Sequence, residues 1–264
     1  MCHYGPSNFL ILPGDFLKKL DSINFMFFLY NGITAKGRRR RMKFRHEMKI
    51  EILASDYYEL RMRLSAVMKK DAHGESGRYE IRSLYFDTPG DRALMEKIDG
   101  VDRREKYRIR MYNGNTDFLR LEVKRKIANL TNKESCVIEK ERVDQILSGD
   151  TAWMPLSEKT PIRSLYDKMK YEGFYPKTIV SYTREAFIYE AGNVRVTFDY
   201  DIRTGSVCAD FLKRDPLTVP VWDGRILMEV KWDEFLPDII RDAIRIDGRG
   251  AGAFSKYAQA RIYG

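Results

Sequence analysis

The sequence predicts an α+β fold in which an antiparallel sheet curls into a barrel around a polar, cationic interior, and amphipathic helices cover the outside. Two observations predict it. Several segments carry charged side chains on every second residue, which is the period of a strand with one charged and one apolar face. Between them lie stretches whose apolar residues recur at helical spacing.

The clearest alternation lies between residues 105 and 126. The charged parity consists of Lys106, Arg108 and Arg110 in a first segment, and of Arg120, Glu122, Lys124 and Lys126 in a second. Asn113-Gly114-Asn115 lies between the two segments and supplies residues that tolerate the backbone of a tight turn. The stretch therefore predicts a β-hairpin with one strongly positive face.

The same alternation predicts strands elsewhere. Its charged parity consists of Arg45, Glu47, Lys49 and Glu51 in the first strand, of Arg195, Thr197 and Asp199 in a later one, and of Glu229 and Lys231 in the last. Glu-x-Lys occurs on three strands, as Glu47/Lys49, Glu122/Lys124 and Glu229/Lys231. A spacing of two places each acid and its base on the same face.

For any single strand, a charged face that points to solvent is the simpler interpretation. Taken together the strands weaken it, because solvent faces usually mix Thr, Ser, Gln and Lys, whereas these faces are mostly Arg and Lys with interspersed carboxylates. We therefore expect the charged faces to turn inward and line a cationic tunnel. The apolar faces then point outward and need helices to cover them.

The remaining elements follow in chain order. An apolar stripe from Tyr57 to Met68 predicts a helix capped at Ser55 or Asp56. The next strand spans residues 79–87, with Arg82 as a further candidate for the interior, and a short helix spans residues 89–100. Later elements are predicted at residues 133–139 (strand), 142–147 and 162–169 (helices), 178–189 and 193–203 (hairpin), 225–232 (strand), 237–246 (helix) and 255–257 (helical).

Residues 1–41 differ from the rest and predict an N-terminal extension. Their apolar stretch of about 11 residues is shorter than a membrane helix needs, and the Arg38–Arg41 run follows it, which is the wrong order for a secretory signal. We interpret the segment as a poorly ordered tail ahead of a true start at Met42. Peripheral contact with anionic lipid through the basic run is the alternative.

A formal net charge of +9 predicts a polyanionic partner, either nucleic acid, an acidic membrane surface or phosphate-rich small molecules. Nucleic acid is disfavoured because the cations are spread over strands in one parity and do not form a basic helix. Cys2, Cys136 and Cys208 are few and scattered, which indicates reduced thiols and a cytoplasmic location.

The predicted interior suits phosphoryl transfer, in which catalysis consists mainly of positioning phosphates and neutralising their charge. Arg offers a planar fork for phosphate oxygens, and Lys acts as a point charge. Glu47, Glu122 and Glu229 are the carboxylates of the charged parity that could hold Mn²⁺ or Mg²⁺. No Ser/His/Asp set, phosphate-binding loop or nucleotide fingerprint is visible in the sequence.

Eight motifs together carry a family resemblance. In order they are residues 45–49 (RHEMK), 81–87 (IRSLYFD), 107–110 (YRIR), 121–124 (LEVK), 182–187 (YTREAF), 195–199 (RVTFD), 228–231 (MEVK) and 255–257 (SKY). Each motif alone is weak, but their order from Met42 to Gly264 resembles the VTC domain. This is the polyphosphate polymerase domain of the vacuolar transporter chaperone family, in the triphosphate tunnel metalloenzyme (CYTH-like) superfamily.

The resemblance implies an antiparallel, eight-stranded triphosphate tunnel barrel over residues 42–264. It also implies a metal-dependent polyphosphate polymerase that transfers the terminal phosphate of ATP to a growing chain. By motif position the catalytic, phosphate-binding residues are Arg108, Arg110, Lys124, Arg184, Arg195 and Lys256. Further substrate-binding candidates are Lys49, Arg82, Lys106, Lys126 and Lys231. Glu229 is the implied metal ligand, with Glu122 and Glu47 as secondary candidates.

One departure from the wider superfamily bears on the reaction. Its triphosphate hydrolases resemble Glu-x-Glu-x-Lys on the first strand, where this chain has Arg45-x-Glu47-x-Lys49. The missing carboxylate favours transfer to phosphate over hydrolysis. A tripolyphosphatase or nucleoside triphosphatase remains an alternative, and so does a non-catalytic domain that senses polyphosphate or nucleotide and signals to a partner protein.

Overall fold

The computed structural model describes residues 45–72, 77–127, 130–221 and 224–263. Most of the strands are long. They are β1 (His46–Leu53), β2 (Lys69–Lys70), β3 (Arg78–Asp87), β4 (Arg104–Tyr112), β5 (Asn115–Ile127), β6 (Leu130–Ile138), β7 (Tyr175–Tyr189), β8 (Val194–Gly205), β9 (Val219–Pro220) and β10 (Arg225–Trp232). Among the described residues, six α-helices lie between or after them: α1 (Ala54–Val67), α2 (Arg92–Ile98), α3 (Lys140–Leu147), α4 (Thr160–Glu172), α5 (Asp238–Ala243) and α6 (Lys256–Tyr263).

The strands form one antiparallel sheet in the order β1-β10-β8-β7-β3-β4-β5-β6, and the two-residue strands β2 and β9 pair with β7 and β8 respectively. The α+β class and the antiparallel sheet are therefore confirmed; among the described residues the sheet has ten strands, and eight of them form this path. Within the described residues no ladder joins β1 to β6, so the sheet is curled but not closed. The predicted barrel has an open seam between these two strands.

The alternation along the strands sorts side chains as predicted. On β4, Tyr107, Ile109 and Met111 are fully buried against α3 and α4 on the convex face of the sheet, and the cations of the other parity point into the concave side. On the other half of the sheet, the apolar parity of β1, β8 and β10 packs against α1 and α5. Each strand thus stabilises the core with one face and leaves the other for charged groups.

Two turns have the backbone that their sequences predict. Asn113 and Gly114 both have positive φ, at 50° and 65°, which matches the twist of a tight two-residue hairpin between β4 and β5. Gly192 has φ 70° in the turn between β7 and β8. A Cβ at this position would lie 2.3 Å from the Phe235 carbonyl oxygen, so only glycine fits.

The N-cap of α1 lies two or three residues before the position predicted from the sequence. The helix begins at Ala54, with Leu53 as the N-cap residue, and neither Ser55 nor Asp56 occupies the cap. Asp56 lies at the third helical position, where its Oδ2 accepts the Leu53 backbone N–H at 2.9 Å. This contact is one half of a capping box, in which an acidic side chain at the third helical position accepts the backbone N–H of the N-cap residue.

α2 and α6 are joined on the concave side through Asp87, the last residue of β3. Its carboxylate accepts the backbone N–H groups of Ala93 and Leu94 at 2.8 and 3.1 Å, and it also accepts the Tyr257 hydroxyl. Ahead of α6, the N–H of Gly252 donates to the Lys49 carbonyl at 2.9 Å, and Ala251 bridges to Ile50 on the free edge of β1. These contacts hold the start of α6 inside the curled sheet.

No helix in the described part of the chain is long and apolar enough to cross a membrane. The extension predicted at residues 1–41, with its basic run, lies outside the described residues.

Candidate functional site

The concave side of the sheet encloses a cavity of about 590 Å³. Of the described residues that line it, thirteen are Arg or Lys and three are Glu. They come from both ends of the sheet, β1 and β6, from the strands between, from α2 and from the start of α6. The predicted residues that line it are Glu47, Lys49, Lys106, Arg108, Arg110, Glu122, Lys124, Lys126, Arg184, Glu229, Lys231 and Lys256.

Arg108, which is partly exposed, forms an ion pair with the buried Glu122 on the neighbouring strands β4 and β5. The Arg108 Nη2 lies 2.6 Å from the Glu122 Oε2, and Lys133 of β6 reaches the other carboxylate oxygen at 2.7 Å. Burial alone would raise the pKa of Glu122, but Arg108, Arg110 and Lys133 lower it to about 2. Glu122 is therefore a fixed negative charge that holds two cations at the cavity wall.

A second group joins β7, β8 and α6. Arg184 forms a fork with the buried Asp199, with Nε–Oδ1 at 2.6 Å and Nη2–Oδ2 at 2.8 Å. The Lys256 ammonium also contacts Asp199, and it lies 4.7 Å from the centre of the Tyr182 ring. One buried carboxylate thus fixes in place two predicted phosphate-binding cations that line the cavity.

The carboxylates of Glu229 and Glu47 meet between β10 and β1. Lys231 Nζ lies 3.1 Å from Glu229 Oε1 and 3.5 Å from Glu47 Oε1, and Lys49 Nζ lies 3.7 and 3.4 Å from the same two atoms. Burial alone would raise the pKa of Glu229, but a hydrogen bond with Glu47 and the charges of Lys231, Lys256 and Lys49 hold it well below its usual range. Glu229 is ionised at neutral pH.

Near these balanced groups, other cations have no counter-ion. None of the described carboxylates lies within ion-pair distance of Lys106, Lys124 or Lys126. Among the described residues, Lys106 donates to the Ser255 hydroxyl, at 3.2 Å. Burial and the charges of Lys97, Arg104, Lys124 and Lys49 lower the pKa of Lys106 to about 7. A bound anion would offset this repulsion.

Two predicted site residues are not brought to the cavity. Arg82 lies on the convex parity of β3, where it is buried and donates to the carbonyl oxygens of Phe211, Lys213 and Arg214. The expectation that it faces the interior is wrong. Its partners show why: the chain after β8 folds over this face of the sheet and supplies carbonyls that only a long cationic side chain reaches.

Arg195 is also absent from the cavity lining. It lies on β8 directly opposite Lys231 and Ile188, and its Nη2 donates to Asp71 at 2.5 Å and to the Tyr79 hydroxyl at 2.8 Å. The guanidinium is thus held by a carboxylate that the sequence analysis did not place. The phosphate-binding role of Arg195 stays a prediction that this arrangement does not support.

The three predicted metal ligands do not form one group. Glu47 and Glu229 are adjacent, but Glu122 is bound by Arg108 and Lys133, and the described residues contain no set of three His, Cys, Asp or Glu placed for a metal. Two neighbouring carboxylates nevertheless fit Mg²⁺ or Mn²⁺, because such ions often take one or two protein carboxylates and complete their shell with water and substrate phosphate.

The cavity also contains functional groups that the strand patterns missed. Lys97 belongs to the short helix α2, and Arg104 lies at the start of β4, one step beyond the predicted hairpin. Lys133 and Tyr85 complete the surroundings of Arg108, since the Tyr85 hydroxyl accepts from its Nη1 at 3.1 Å. The strand alternation could have identified Arg104 and Tyr85, because each continues an alternating pattern already recognised in its strand. Lys97, in contrast, is brought to the cavity only by the tertiary structure.

The structural neighbours include two proteins with low sequence identity. A Hippeastrum protein, a candidate adenylyl cyclase described as having a dominant triphosphatase activity, is 15% identical at a TM-score of 0.49, over 82% of this chain and 95% of its own. A candidate adenylate cyclase from Bacillus halodurans is 14% identical at a TM-score of 0.44, over 76% and 86%. Neither score is high enough to carry an argument about this chain.

Comparison with curated proteins gives no match. The sequence model of the VTC domain, in contrast, matches residues 44–263, which include every strand and helix described above. The chain therefore belongs to the VTC domain family.

Proposed function

We propose that this protein is a metal-dependent polyphosphate polymerase that transfers the terminal phosphate of ATP to a growing polyphosphate chain. The observation that carries the proposal is the cavity, in which cations that pair with none of the described carboxylates lie beside cations fixed by buried acids. The family supports phosphoryl-transfer chemistry in general. The choice of polymerisation over hydrolysis rests on Arg45, which takes the place of a carboxylate in the first-strand motif of the hydrolases.

In this mechanism the protein positions phosphates and stabilises their charge, and no side chain forms a covalent intermediate. Arg108 and Arg184 have orientations fixed by Glu122 and Asp199, so they need no rearrangement when a phosphate binds. Lys256 and Lys124 add point charges to the same cavity. Together these groups lower the repulsion between the terminal phosphate of a donor and the end of an acceptor chain, so that in-line transfer becomes accessible.

Glu229, with Glu47 beside it, would hold the divalent metal. When bound, Mg²⁺ or Mn²⁺ supplies additional neutralisation of the phosphate oxygens. Lys49 and Lys231 contact both carboxylates, and their ammonium groups would also neutralise substrate phosphates beside that ion.

The remaining assignments belong to the same proposal. Polyphosphate or triphosphate is the polyanionic partner, and nucleic acid is not, because the cations line a concave cavity. The described thiols Cys136 and Cys208 are free, which supports a reducing, cytoplasmic setting. Peripheral contact of the N-terminal extension with membranes remains an open proposal, and no partner protein is assigned.

The first test incubates the full chain with ATP and either Mn²⁺ or Mg²⁺ and resolves the products on a gel stained for polyphosphate. We expect a ladder that requires metal. Glu229→Gln removes the metal-binding charge, and Arg108→Ala removes a fixed cation; each should lower the rate of synthesis by at least about a hundredfold. Lys140→Ala, an exposed cation at the start of α3, should leave it unchanged.

The outcomes separate the three candidate functions. Orthophosphate without a ladder would make the protein a tripolyphosphatase or nucleoside triphosphatase. Tight binding of polyphosphate without any turnover would make it a sensor. If Glu229→Gln supported full synthesis with unchanged metal dependence, the proposed metal role would be wrong.

A further inference from the structure

Asp87, the last residue of β3, is a buried carboxylate that the proposed mechanism does not use. It is fully buried, it does not line the cavity, and none of the described Arg or Lys side chains lies within ion-pair distance of it. Its Oδ1 accepts the backbone N–H groups of Thr88 and Ala93, at 2.7 and 2.8 Å. Its Oδ2 accepts the N–H of Leu94, at 3.1 Å, and the hydroxyl of Tyr257. Four neutral donors thus stabilise this carboxylate.

Both oxygens of Asp87 are needed for these contacts. An asparagine would offer one carbonyl oxygen and one amide NH₂ group, and the NH₂ group would face donors from which it cannot accept. A buried donor without an acceptor destabilises the fold, so the four contacts together require an aspartate. Its two oxygens hold two elements at once, α2 through the N–H groups of Ala93 and Leu94, and α6 through Tyr257.

The two helices that Asp87 joins each bring a cation to the cavity. Lys97 lies in the last turn of α2, and Lys256 is the first residue of α6. Lys256 directly precedes Tyr257 in the chain. The hydroxyl bond to Asp87 therefore fixes the helix one residue away from the ammonium group that contacts Asp199.

The ion pair with Asp199 does not fix Lys256 by itself. Asp199 also forms the fork with Arg184, and a flexible lysine side chain keeps such an ion pair over a range of helix positions. Tyr257 removes this freedom, because it is 2% exposed and its hydroxyl bond to the Asp87 carboxylate is directional. Burial and the hydrogen bond with Asp87 raise the pKa of Tyr257, so the hydroxyl keeps its proton and remains a donor.

We propose that Asp87 is a positioning residue for phosphoryl transfer: it holds α6 to α2 through Tyr257 and so keeps Lys256 directed into the cavity. Asp87 itself touches no substrate. The assignment rests on the proposed function for the reaction that Lys256 serves. The placement of Lys256, however, is also measured by the binding of tripolyphosphate, which needs no turnover, so the two proposals can fail separately.

The test is a double-mutant cycle in the full chain between Tyr257→Phe, which removes only the hydroxyl, and Lys256→Gln, which removes the positioned charge. Affinity for tripolyphosphate is measured by titration calorimetry without metal, and the rate of polymer synthesis is measured with metal at saturating ATP. We expect Tyr257→Phe alone to lower both quantities roughly tenfold. In the Lys256→Gln background the same change should lower them by less than about twofold, because the positioned group is then absent.

Two further variants complete the experiment. Arg261 lies near the other end of α6 and forms a fork with Asp91, with both contacts at 2.9 Å, so Arg261→Gln loosens the same helix away from the cavity. This matched control should lower the melting temperature but change affinity and rate by less than about twofold. Asp87→Asn should weaken binding at least as much as Tyr257→Phe does, and its effect should also shrink in the Lys256→Gln background. If Asp87→Asn does not fold, the cycle with Tyr257→Phe decides.

Equal fractional losses in the two backgrounds would overturn the proposal, because Tyr257 would then support the fold and not the placement of Lys256. No loss with Tyr257→Phe, or an equally large loss with Arg261→Gln, would overturn it as well. A coupled loss of tripolyphosphate binding without any polymer formation would support the positioning role and count against the polymerase.

Discussion

The lowered pKa of Lys106 reflects the positive charge that surrounds it in the cavity. Lys106 faces Lys97 on α2, Arg104 on its own strand, Lys124 on β5, Lys49 on β1, and Ser255 and Tyr257 at the start of α6. Burial and these cations lower its pKa to about 7. Between this value and the ordinary lysine pKa, the unfolded chain binds more protons than the folded one, so stability rises with pH across that window.

A pH-dependent unfolding experiment tests this consequence. Lys106→Met removes the group, so the gain in the free energy of unfolding from about pH 6.5 to about pH 9.5 should be smaller in the variant than in the natural protein. The measurement is urea unfolding in buffers free of phosphate. Lys140→Met serves as the exposed control, and it should retain the full pH dependence.

Arg82 and Arg110 make a matched pair because they lie on neighbouring strands but on opposite faces. Arg82→Met leaves three carbonyl oxygens without a donor and should lower the free energy of unfolding by about 2 to 4 kcal/mol. The folded Arg82→Met protein should bind tripolyphosphate with the same affinity as the natural protein.

Arg110 lines the cavity and donates to the hydroxyls of Ser83 and Tyr182, at 3.3 and 3.2 Å. Arg110→Met should therefore lose affinity for tripolyphosphate with a smaller loss of stability. Urea unfolding and calorimetry on both variants give the comparison. If Arg82→Met instead lost affinity for tripolyphosphate and Arg110→Met lost mainly stability, Arg82 would belong to the binding site and Arg110 would have a structural role.

At the scale of elements, the two hairpin turns differ in how strictly they require glycine. Gly114 has positive φ and open space where a Cβ would lie, whereas Gly192 has positive φ and lies against the Phe235 carbonyl. Gly114→Ala should cost about 1 to 2 kcal/mol, the penalty for a left-handed alanine. Gly192→Ala should cost clearly more, because the β7–β8 turn or the segment after β10 must move. Thermal unfolding of the two variants side by side tests the difference.

The strands and their facing could be predicted because alternation is a local property. Tyr107 and Lys106 have opposite environments simply as neighbours on one strand, and that holds wherever the strand is placed. Arg82 also follows the alternation, since it shares the parity of Leu84 and Phe86; it was assigned to the interior because of its charge, and the carbonyls of residues 211–214 that accept from it come from a segment with no periodic pattern. Lys97 was missed because its place in the cavity depends on where α2 packs, which no local pattern specifies.

At the scale of the whole molecule, the site is assembled from residues far apart in the chain. Glu47 on β1 and Glu229 on β10 are brought together by strand pairing, as Lys49 and Glu229 are directly opposite in the ladder. The sequence pattern identified each carboxylate, but it could not say that Glu122 would be held apart by Arg108 and Lys133. The order of the strands in the sheet, and not the sequence pattern of any one strand, decides which carboxylates lie next to each other.

That order also has a consequence for how the chain folds. Among the described strands β1 pairs with β10 alone, so the first strand of the sheet stays without its ladder until the last one has been made. The strands β3 to β6 pair with nearer neighbours and can form early. Such a long loop closure slows folding, so the carboxylate pair should be the final part of the molecule to take shape during synthesis.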